Sequence, residues 1–106
     1  MPSDRVVELQ NESEFEQKCL SGLVVIDFFT TWCGPCKVIA PKFDEFAGKY
    51  PNFKFFKVNT EEIPKVAAKF SVKSIPTFVF LKDGKEVARV VGGNAAEIEK
   101  NLQSHA

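Results

Sequence analysis

The 106-residue sequence predicts one α/β domain spanning residues 1–106, in which a mixed β-sheet is covered by helices on both faces. The first observation behind this prediction is a pattern: short apolar runs alternate with segments of helical apolar spacing in the order βαβαβαββα. The second is size and composition. A chain of this length suits a single domain, and a hydrophobic content of 44% with eleven Phe supplies a core without disulfide bonds.

The first half of the chain supplies two strands and two helices. Residues 6–9 are a weak first strand, and residues 13–16 resemble a capping box that opens a helix ending near Leu20. Residues 23–29 are apolar on both faces, as expected of a central strand. A longer helix then follows, because apolar residues recur at helical spacing at Ile39, Phe43, Phe46 and Tyr50.

The second half supplies three strands and two helices. Asp83-Gly84 separates the last two strands and is a strong β-hairpin signal. Asn94 resembles the N-cap of the final helix. The strands are predicted at residues 53–59, 77–82 and 86–91, and the helices are marked by Ile63, Val66, Ala67 and Phe70 and by Ile98 and Leu102.

Charge and hydropathy argue against two classes of partner. Fourteen basic residues balance fourteen acidic ones, which leaves no electrostatic footprint for nucleic acid or anionic membrane. No segment approaches the roughly 20 apolar residues of a membrane span. Residues 1–5 lack the apolar stretch of a signal peptide. We therefore expect a cytoplasmic protein, monomeric by default, in which a disulfide serves catalysis rather than structure.

The segment Trp32-Cys33-Gly34-Pro35-Cys36 places two thiols directly after the predicted central strand and at the start of a helix. A helix start stabilises anions, and the thiolate is the reactive form of cysteine. A C-x-x-C pair can also be half of a zinc site, but zinc needs four ligands. The remaining candidates are the isolated Cys19 and His105, the only histidine. Redox chemistry without a metal or cofactor is therefore the favoured interpretation.

Helix geometry assigns different roles to the two thiols. Cβ atoms three residues apart on a helix lie about 5–6 Å apart, whereas a disulfide needs about 3.8 Å. Cys33 is therefore expected at the cap, before helical geometry begins, and Pro35 suits the first turn because no N–H is needed there. We expect Cys33 to be exposed and to attack the substrate disulfide. Cys36 would lie beneath it and resolve the mixed disulfide.

Asp27 is the candidate base for Cys36. It is the only charged residue in the run 23–29, and burial should raise its pKa toward the range useful for proton transfer. Lys57 interrupts the third apolar strand and could partner it. Two alternatives stay open: Asp27 could lie at a strand end near water, and Lys57 could snorkel to the surface.

Several segments resemble the thioredoxin family, and the resemblance covers essentially the whole chain. They are residues 25–29, 31–37, 39–41, 74–78, 83–84 and 91–92. The resemblance implies the thioredoxin fold, a five-stranded mixed β-sheet flanked by four α-helices. It also implies a cytosolic-type protein disulfide reductase in redox homeostasis. A thioredoxin reductase that carries NADPH electrons would restore its dithiol.

The resemblance also implies a set of site residues. It makes Cys33 the nucleophile, Cys36 the resolving thiol that forms a disulfide with it, and Asp27 the buried proton acceptor with Lys57 alongside. It implies a cis Pro76 that faces the dithiol, with a client strand pairing beside it. Without the resemblance, the glycines indicate ordinary turns. The implied apolar rim comprises Trp32, Gly34, Pro35, Ile75, Pro76, Val91, Gly92 and Gly93.

Two alternative functions stay open, and the sequence departs from the family pattern at two places. The protein could be an oxidase or isomerase, although the Gly-Pro pair between the cysteines resembles the reducing branch, or a binding subunit that uses the rim. Cys19 is interpreted as a small packed residue, against the alternative of a regulatory thiol. Thr30 stands where the family usually has alanine. Asn59 and Thr60 stand where many members carry an acidic residue, so surface recognition is expected to differ there.

Overall fold

The computed structural model describes residues 5–105 and contains one five-stranded sheet with helices on both faces. Residues 1–4 and 106 lie outside the described residues, and so do the prediction about a leader segment and the outer limits of the predicted domain. The element order confirms the predicted α/β fold. The elements are β1 (Val6–Glu8), α1 (Glu12–Lys18), β2 (Leu23–Phe29), α2 (Gly34–Lys49), β3 (Lys54–Asn59), α3 (Pro64–Lys69), β4 (Thr77–Lys82), β5 (Lys85–Val91) and α4 (Ala95–Ser104).

β2 lies at the centre of the sheet, whose strand order is β1-β3-β2-β4-β5. β1 and β2 run parallel to β3, β4 is antiparallel to β2, and β5 is antiparallel to β4. The carboxyl end of β2 lies between the end of β3 and the start of β4, where Phe29 pairs with Asn59 and Phe28 with Thr77. The dithiol segment that follows Phe29 is therefore delivered to this end of the sheet.

The two faces of the sheet carry separate hydrophobic cores. On β2, Val24, Ile26 and Phe28 belong to the core that includes residues of α1 and α3, whereas Val25 belongs to the core under α2 and α4. Each Val or Phe buried in this way contributes roughly 1.5–3 kcal/mol to stability. Because side chains alternate along a strand, Asp27 falls on the α2 face together with Val25. A carboxylate therefore interrupts an otherwise apolar interface.

The predicted capping box of α1 is wrong by two residues. The N-cap is Asn11 rather than Ser13, and its side chain accepts a hydrogen bond from the Glu14 N–H at 2.9 Å. The Glu14 carboxylate accepts a hydrogen bond from the Gln10 backbone N–H at 2.6 Å. Asn and Ser are equally good caps, so packing decides between them. The start at Asn11 places Phe15 in the core, and α1 also ends earlier than expected.

The remaining local predictions are confirmed. Asp83 and Gly84 both have positive φ, 50° and 83°, as a two-residue hairpin of type I′ requires. The Asp83 carboxylate accepts a hydrogen bond from the Gly22 N–H at 2.8 Å, which ties the hairpin to the loop before β2. Asn94 caps α4 by accepting from the Glu97 N–H. Strand boundaries lie within one residue of the predicted ones.

Cys19 is a packed core residue, as the sequence predicted. It forms the C-cap of α1, is 0% exposed and belongs to the core that contains Phe15. Burial raises the pKa of its thiol to about 12. The interpretation of Cys19 as an accessible regulatory thiol therefore lacks the exposure that it requires.

We expect Cys19 to resist thiol reagents in the folded protein. Both burial and the raised pKa suppress the thiolate that reacts with Ellman's reagent. The measurement uses Cys33→Ser/Cys36→Ser, which leaves Cys19 as the sole cysteine. This variant should stay unreactive in buffer and titrate one thiol per chain in denaturant. Rapid reaction in buffer would show that Cys19 is accessible.

Candidate active site

Cys33 and Cys36 form a disulfide at the N-terminus of α2, with their Cα atoms 5.3 Å apart. Cys33 is the N-cap, in extended conformation with φ −83° and ψ 114°. Its Sγ accepts a hydrogen bond from the Cys36 N–H at 3.2 Å. Pro35 occupies the first turn, where a missing N–H is tolerated. The same backbone donor can stabilise a Cys33 thiolate in the reduced protein, together with the helix dipole.

The expectation that Cys33 is exposed is wrong for this disulfide form. Cys33 is 5% exposed and Cys36 is 4% exposed, so the two barely differ. The physical reason is the cap itself. A side chain that accepts from the first turn and bonds to the Cys36 sulfur lies against the helix end instead of projecting outward.

The predicted rim residues around the dithiol differ in exposure. Trp32 is 67% exposed and Val91 is 59% exposed, whereas Ile75 is half-buried and Pro76 is buried. The Ile75–Pro76 peptide bond is cis, as the family resemblance implied. Among the described residues, the backbone of Ile75 makes no hydrogen bond.

One of the three rim glycines, Gly92, has a backbone conformation that favours glycine. Gly92 has φ +97°, which favours glycine, and its N–H donates to the Pro76 carbonyl at 2.8 Å. A Cβ at Gly93 would lie 3.7 Å from the Pro35 carbonyl oxygen, so the loop after β5 lies against the start of α2. A Cβ at Gly34 would meet open space. The turn interpretation therefore accounts for Gly92, whereas a Cβ at Gly93 would make only ordinary van der Waals contacts.

Asp27 is buried in the middle of β2, with only 4% of its surface exposed. Burial raises its pKa from 3.8 to about 7, the positive charge of Lys57 opposes that rise, and the negative charge of Asp44 adds to it. The expected burial is confirmed, and the alternative that Asp27 lies at a strand end is wrong, because it lies in the middle of β2. A carboxyl with this pKa can take up and release a proton near neutral pH.

Lys57 lies beside Asp27 but does not form an ion pair with it among the described residues. The two are register partners on the parallel strands β2 and β3. The Lys57 Nζ lies over the Phe29 ring, 5.5 Å from its centroid, and the residue is half-buried. This arrangement agrees with the snorkelling alternative, while the ammonium still acts on Asp27 through space.

One cavity joins Asp27 to Cys36. It measures about 240 Å³ and opens to the surface past the exposed side chains of Lys37 and Ala40. The Asp27 Oδ1 is buried and has no hydrogen-bond partner in the described part of the chain. The structure therefore brings the predicted base to the predicted resolving thiol. The other residues that line the cavity are Phe29, Thr30, Thr31 and Lys57.

Comparisons with known proteins agree with this geometry. The family model for thioredoxin matches residues 6–104. The chain belongs to the thioredoxin family. Thioredoxin-2 of Saccharomyces cerevisiae is 48% identical over 102 residues, which cover 94% of this chain and 98% of the relative. Thioredoxin-1 of Schizosaccharomyces pombe is 40% identical over 101 residues, which cover 94% and 98%.

Solved structures show the same fold. A thioredoxin from Nicotiana alata superposes with a TM-score of 0.92 at 40% identity, covering 99% of this chain and 95% of that one. A thioredoxin from Plasmodium falciparum superposes with a TM-score of 0.91 at 34% identity, covering 94% and 99%. The predicted thioredoxin fold is therefore confirmed. With its Cys-x-x-Cys disulfide, this thioredoxin is a thiol–disulfide oxidoreductase.

Two residues at this thioredoxin site had no role in the sequence prediction. Val38 is 81% exposed on α2 near the dithiol. Its position outside the buried helical stripe, which includes Ile39 and Phe43, could have indicated that this valine is exposed. Thr30 is 3% exposed and lines the cavity. The sequence marks it only as a departure from the family, because its contact with the cavity depends on the fold.

Two features are absent from the described residues. Within residues 5–105, no group of three or more His, Cys, Asp or Glu side chains is placed to hold a metal ion. Over the same residues, no helix has the length and apolar character needed to cross a membrane.

Proposed function

We propose that this thioredoxin reduces disulfide bonds in client proteins through the Cys33/Cys36 dithiol. The observation that carries the proposal is the different setting of the two cysteines. Cys33 caps a helix beside the exposed Trp32, whereas Cys36 lines a cavity with the buried Asp27. A nucleophile at the helix end and a resolving thiol next to a base are what two-step exchange requires.

The reaction starts from the reduced protein. The Cys33 thiolate attacks one sulfur of the client disulfide, the client S–S bond breaks, and the released client thiolate takes up a proton. Cys36 then gives its thiol proton to the Asp27 carboxylate. The Cys36 thiolate attacks the Cys33 sulfur, and the second client thiolate leaves. Two electrons pass to the client, and the protein ends as the Cys33–Cys36 disulfide.

Positioning contributes more to this rate than thiolate stabilisation. A helix N-terminus favours an anion by about 0.3–1 kcal/mol, and by up to about 2 kcal/mol when partly buried. A more stable thiolate is also a weaker nucleophile, with a Brønsted slope of about 0.4–0.5, so the net gain is only a few-fold. Holding the second thiol in place is worth an effective molarity of about 10⁵ M or more. The adjacency of Cys33 and Cys36 supplies that advantage.

The client is proposed to bind as an extended strand beside Ile75. The backbone N–H and C=O of Ile75 make no hydrogen bond among the described residues, so both can pair with a client backbone. The exposed apolar side chains of Trp32 and Val91 would contact the client on either side of the dithiol.

The proposed partners are disulfide-containing proteins and an NADPH-dependent thioredoxin reductase that restores the dithiol. One similar solved chain, 32% identical with a TM-score of 0.90 and covering 98% of this chain, comes from a study of thiol resolution in a yeast mitochondrial 1-Cys peroxiredoxin by glutathione/thioredoxin systems. That relationship supports peroxidases as one client class.

We further propose that the protein acts as a single thioredoxin domain, as a monomer in the cytoplasm, without nucleic acid or membrane as partner. The support is twofold. All nine elements within residues 5–105 belong to one sheet and the helices that cover it. The fourteen basic and fourteen acidic residues balance, so no net charge draws the chain to a polyanion.

The reduction potential of the Cys33/Cys36 pair tests the direction of electron flow. We expect about −270 mV, the range of thioredoxins, in equilibrium with a dithiothreitol or glutathione buffer. The fluorescence of Trp32, the only tryptophan, reports the redox state of the adjacent disulfide. Cys33→Ser/Cys36→Ser should show no transition. A potential of about −180 to −120 mV would instead make the protein an isomerase or oxidant.

A further inference from the structure

Thr30 is a buried polar residue to which the mechanism above gives no role. It follows β2 directly and is 3% exposed. Its Oγ1 has no hydrogen-bond partner among residues 5–105. A buried hydroxyl without a partner is costly, and an apolar side chain of the same shape would avoid that cost. The hydroxyl at Thr30 therefore calls for a partner, and the cavity that this residue lines can hold one.

The position of this hydroxyl indicates what its partner is. Within the described residues, two buried side-chain oxygens lack a hydrogen-bond partner: Asp27 Oδ1 and Thr30 Oγ1. Both residues line the same cavity of about 240 Å³, and Cys36 lines it too. A water molecule occupies about 30 Å³ in the liquid and is held stably when it finds two to four polar partners. The cavity offers the room and the partners.

We propose that Thr30 is a positioning residue for the resolving step: its hydroxyl and the Asp27 carboxyl together hold water in the cavity that links Asp27 to Cys36. The Thr30 hydroxyl donates a hydrogen bond to this water, and the water donates one to the Asp27 carboxylate. During resolution the water accepts the Cys36 thiol proton and passes one proton to Asp27, so its own composition is unchanged. This inference rests on the proposed role of Asp27 as proton acceptor.

The charged groups around Asp27 leave this role open to Thr30. Lys57 faces Asp27 from β3, but its ammonium lies over the Phe29 ring and forms no ion pair with Asp27 in the described chain. From α2, Asp44 acts on Asp27 through space with the sign that disfavours ionisation, and Lys37 lines the mouth of the cavity. Thr30 is the buried neutral donor in this set.

The test compares Thr30→Val, which keeps the shape and removes the hydroxyl, with Thr30→Ser, which keeps the hydroxyl. Stopped-flow measurement separates attack from resolution between pH 5 and 9. A donor to the charged carboxylate favours ionisation, so its loss should move the midpoint of the resolution profile upward by about one pH unit. Resolution at pH 7 should slow about fivefold, since a smaller fraction of Asp27 is then ionised. Attack by Cys33 should stay unchanged.

The controls separate a specific role from a structural one. Thr31→Val removes a hydroxyl from the exposed neighbour that lines the same cavity, and its midpoint should equal that of the wild type. Thr30→Ser should restore the wild-type midpoint. Thr30→Ala is a second variant without the hydroxyl and should shift the midpoint in the same direction. It carries the test if Thr30→Val does not fold.

Two results would overturn the inference, and they differ. If both hydroxyl-free variants at Thr30 keep the wild-type midpoint while Asp27→Asn slows resolution, Thr30 has no part in the step and the proposed function stands. If Asp27→Asn leaves resolution unchanged across the pH range, the acceptor role of Asp27 fails and the inference fails with it. An NMR titration of the Asp27 carboxyl in the reduced protein gives the same midpoint independently of kinetics.

Discussion

Replacing Cys36 with serine is expected to turn the protein from a catalyst into a covalent trap for its clients. Cys33 can still attack a client disulfide, but the mixed disulfide then waits for a thiol from solution. That loss of an effective molarity of about 10⁵ M or more should lower turnover by at least about 10³-fold. Non-reducing electrophoresis and mass spectrometry after exposure to a disulfide-bonded client measure the Cys33-linked adduct.

Matched variants make this result specific. Cys33→Ser should form no adduct, because the nucleophile is missing. Cys19→Ser, made in the Cys36→Ser background, should form as much adduct as Cys36→Ser alone, because Cys19 is buried in the other core. A protein that only binds clients through its rim would hold them in both single variants and release all of them in denaturant. Such behaviour would assign it to the class of binding subunits.

Replacing Asp27 with asparagine is expected to stabilise the oxidised protein at high pH. The pKa of Asp27 rises from 3.8 to about 7 on folding, because burial disfavours its charge. Between these values the folded state keeps a proton that the unfolded state has released, so stability falls as pH rises. A pKa shift of about three units corresponds to about 4 kcal/mol in the free energy of unfolding. This stabilising contribution is present in full below about pH 4 and is lost above about pH 7.

Denaturant unfolding at pH 4 and pH 8 measures this effect. The free energy of unfolding should fall between these pH values in the wild type by about 4 kcal/mol more than in Asp27→Asn. This comparison cancels any change in packing, which is the same at both pH values. Glu61→Gln removes an exposed carboxylate instead of a buried one, so it serves as control and should track the wild type. Parallel curves for wild type and Asp27→Asn would show that Asp27 titrates normally.

The same substitution is expected to slow resolution near neutral pH and to affect the first attack less. Asp27 lines the cavity with Cys36, whereas Cys33 caps the helix outside that lining. Stopped-flow fluorescence of Trp32 separates the two steps. Unchanged rates for both steps in Asp27→Asn and Asp27→Ala would remove Asp27 from the mechanism.

Structural features that depend only on neighbouring residues could be predicted from the sequence. The run of β2 (Leu23–Phe29), the Asp83-Gly84 hairpin and the Asn94 cap all appear where they were predicted. Each depends on backbone geometry and on side chains within a few residues. The capping box of α1 shows the limit of such reasoning. Asn11 and Ser13 offered equivalent local caps, and the burial of Phe15 selected between them.

The site could be predicted as a set of residues but not as an arrangement. The sequence identified Cys33, Cys36 and Asp27 from their chemistry, and the family resemblance added the cis bond before Pro76. The exposure of Cys33 was wrong, since the disulfide folds its sulfur against the helix end. The sequence also could not predict that the Lys57 ammonium lies over the Phe29 ring.

The sequence by itself determined the order of strands and helices, the α/β class and the dithiol chemistry, since these depend on residue type and on spacing over short distances. Only the tertiary structure decided the strand order β1-β3-β2-β4-β5 and the cavity that Asp27, Thr30 and Cys36 share. The physical reason is that a cavity is what packing leaves between elements. Its shape, and the burial that raises the pKa of Asp27, depend on how α2 lies across β2 and β3.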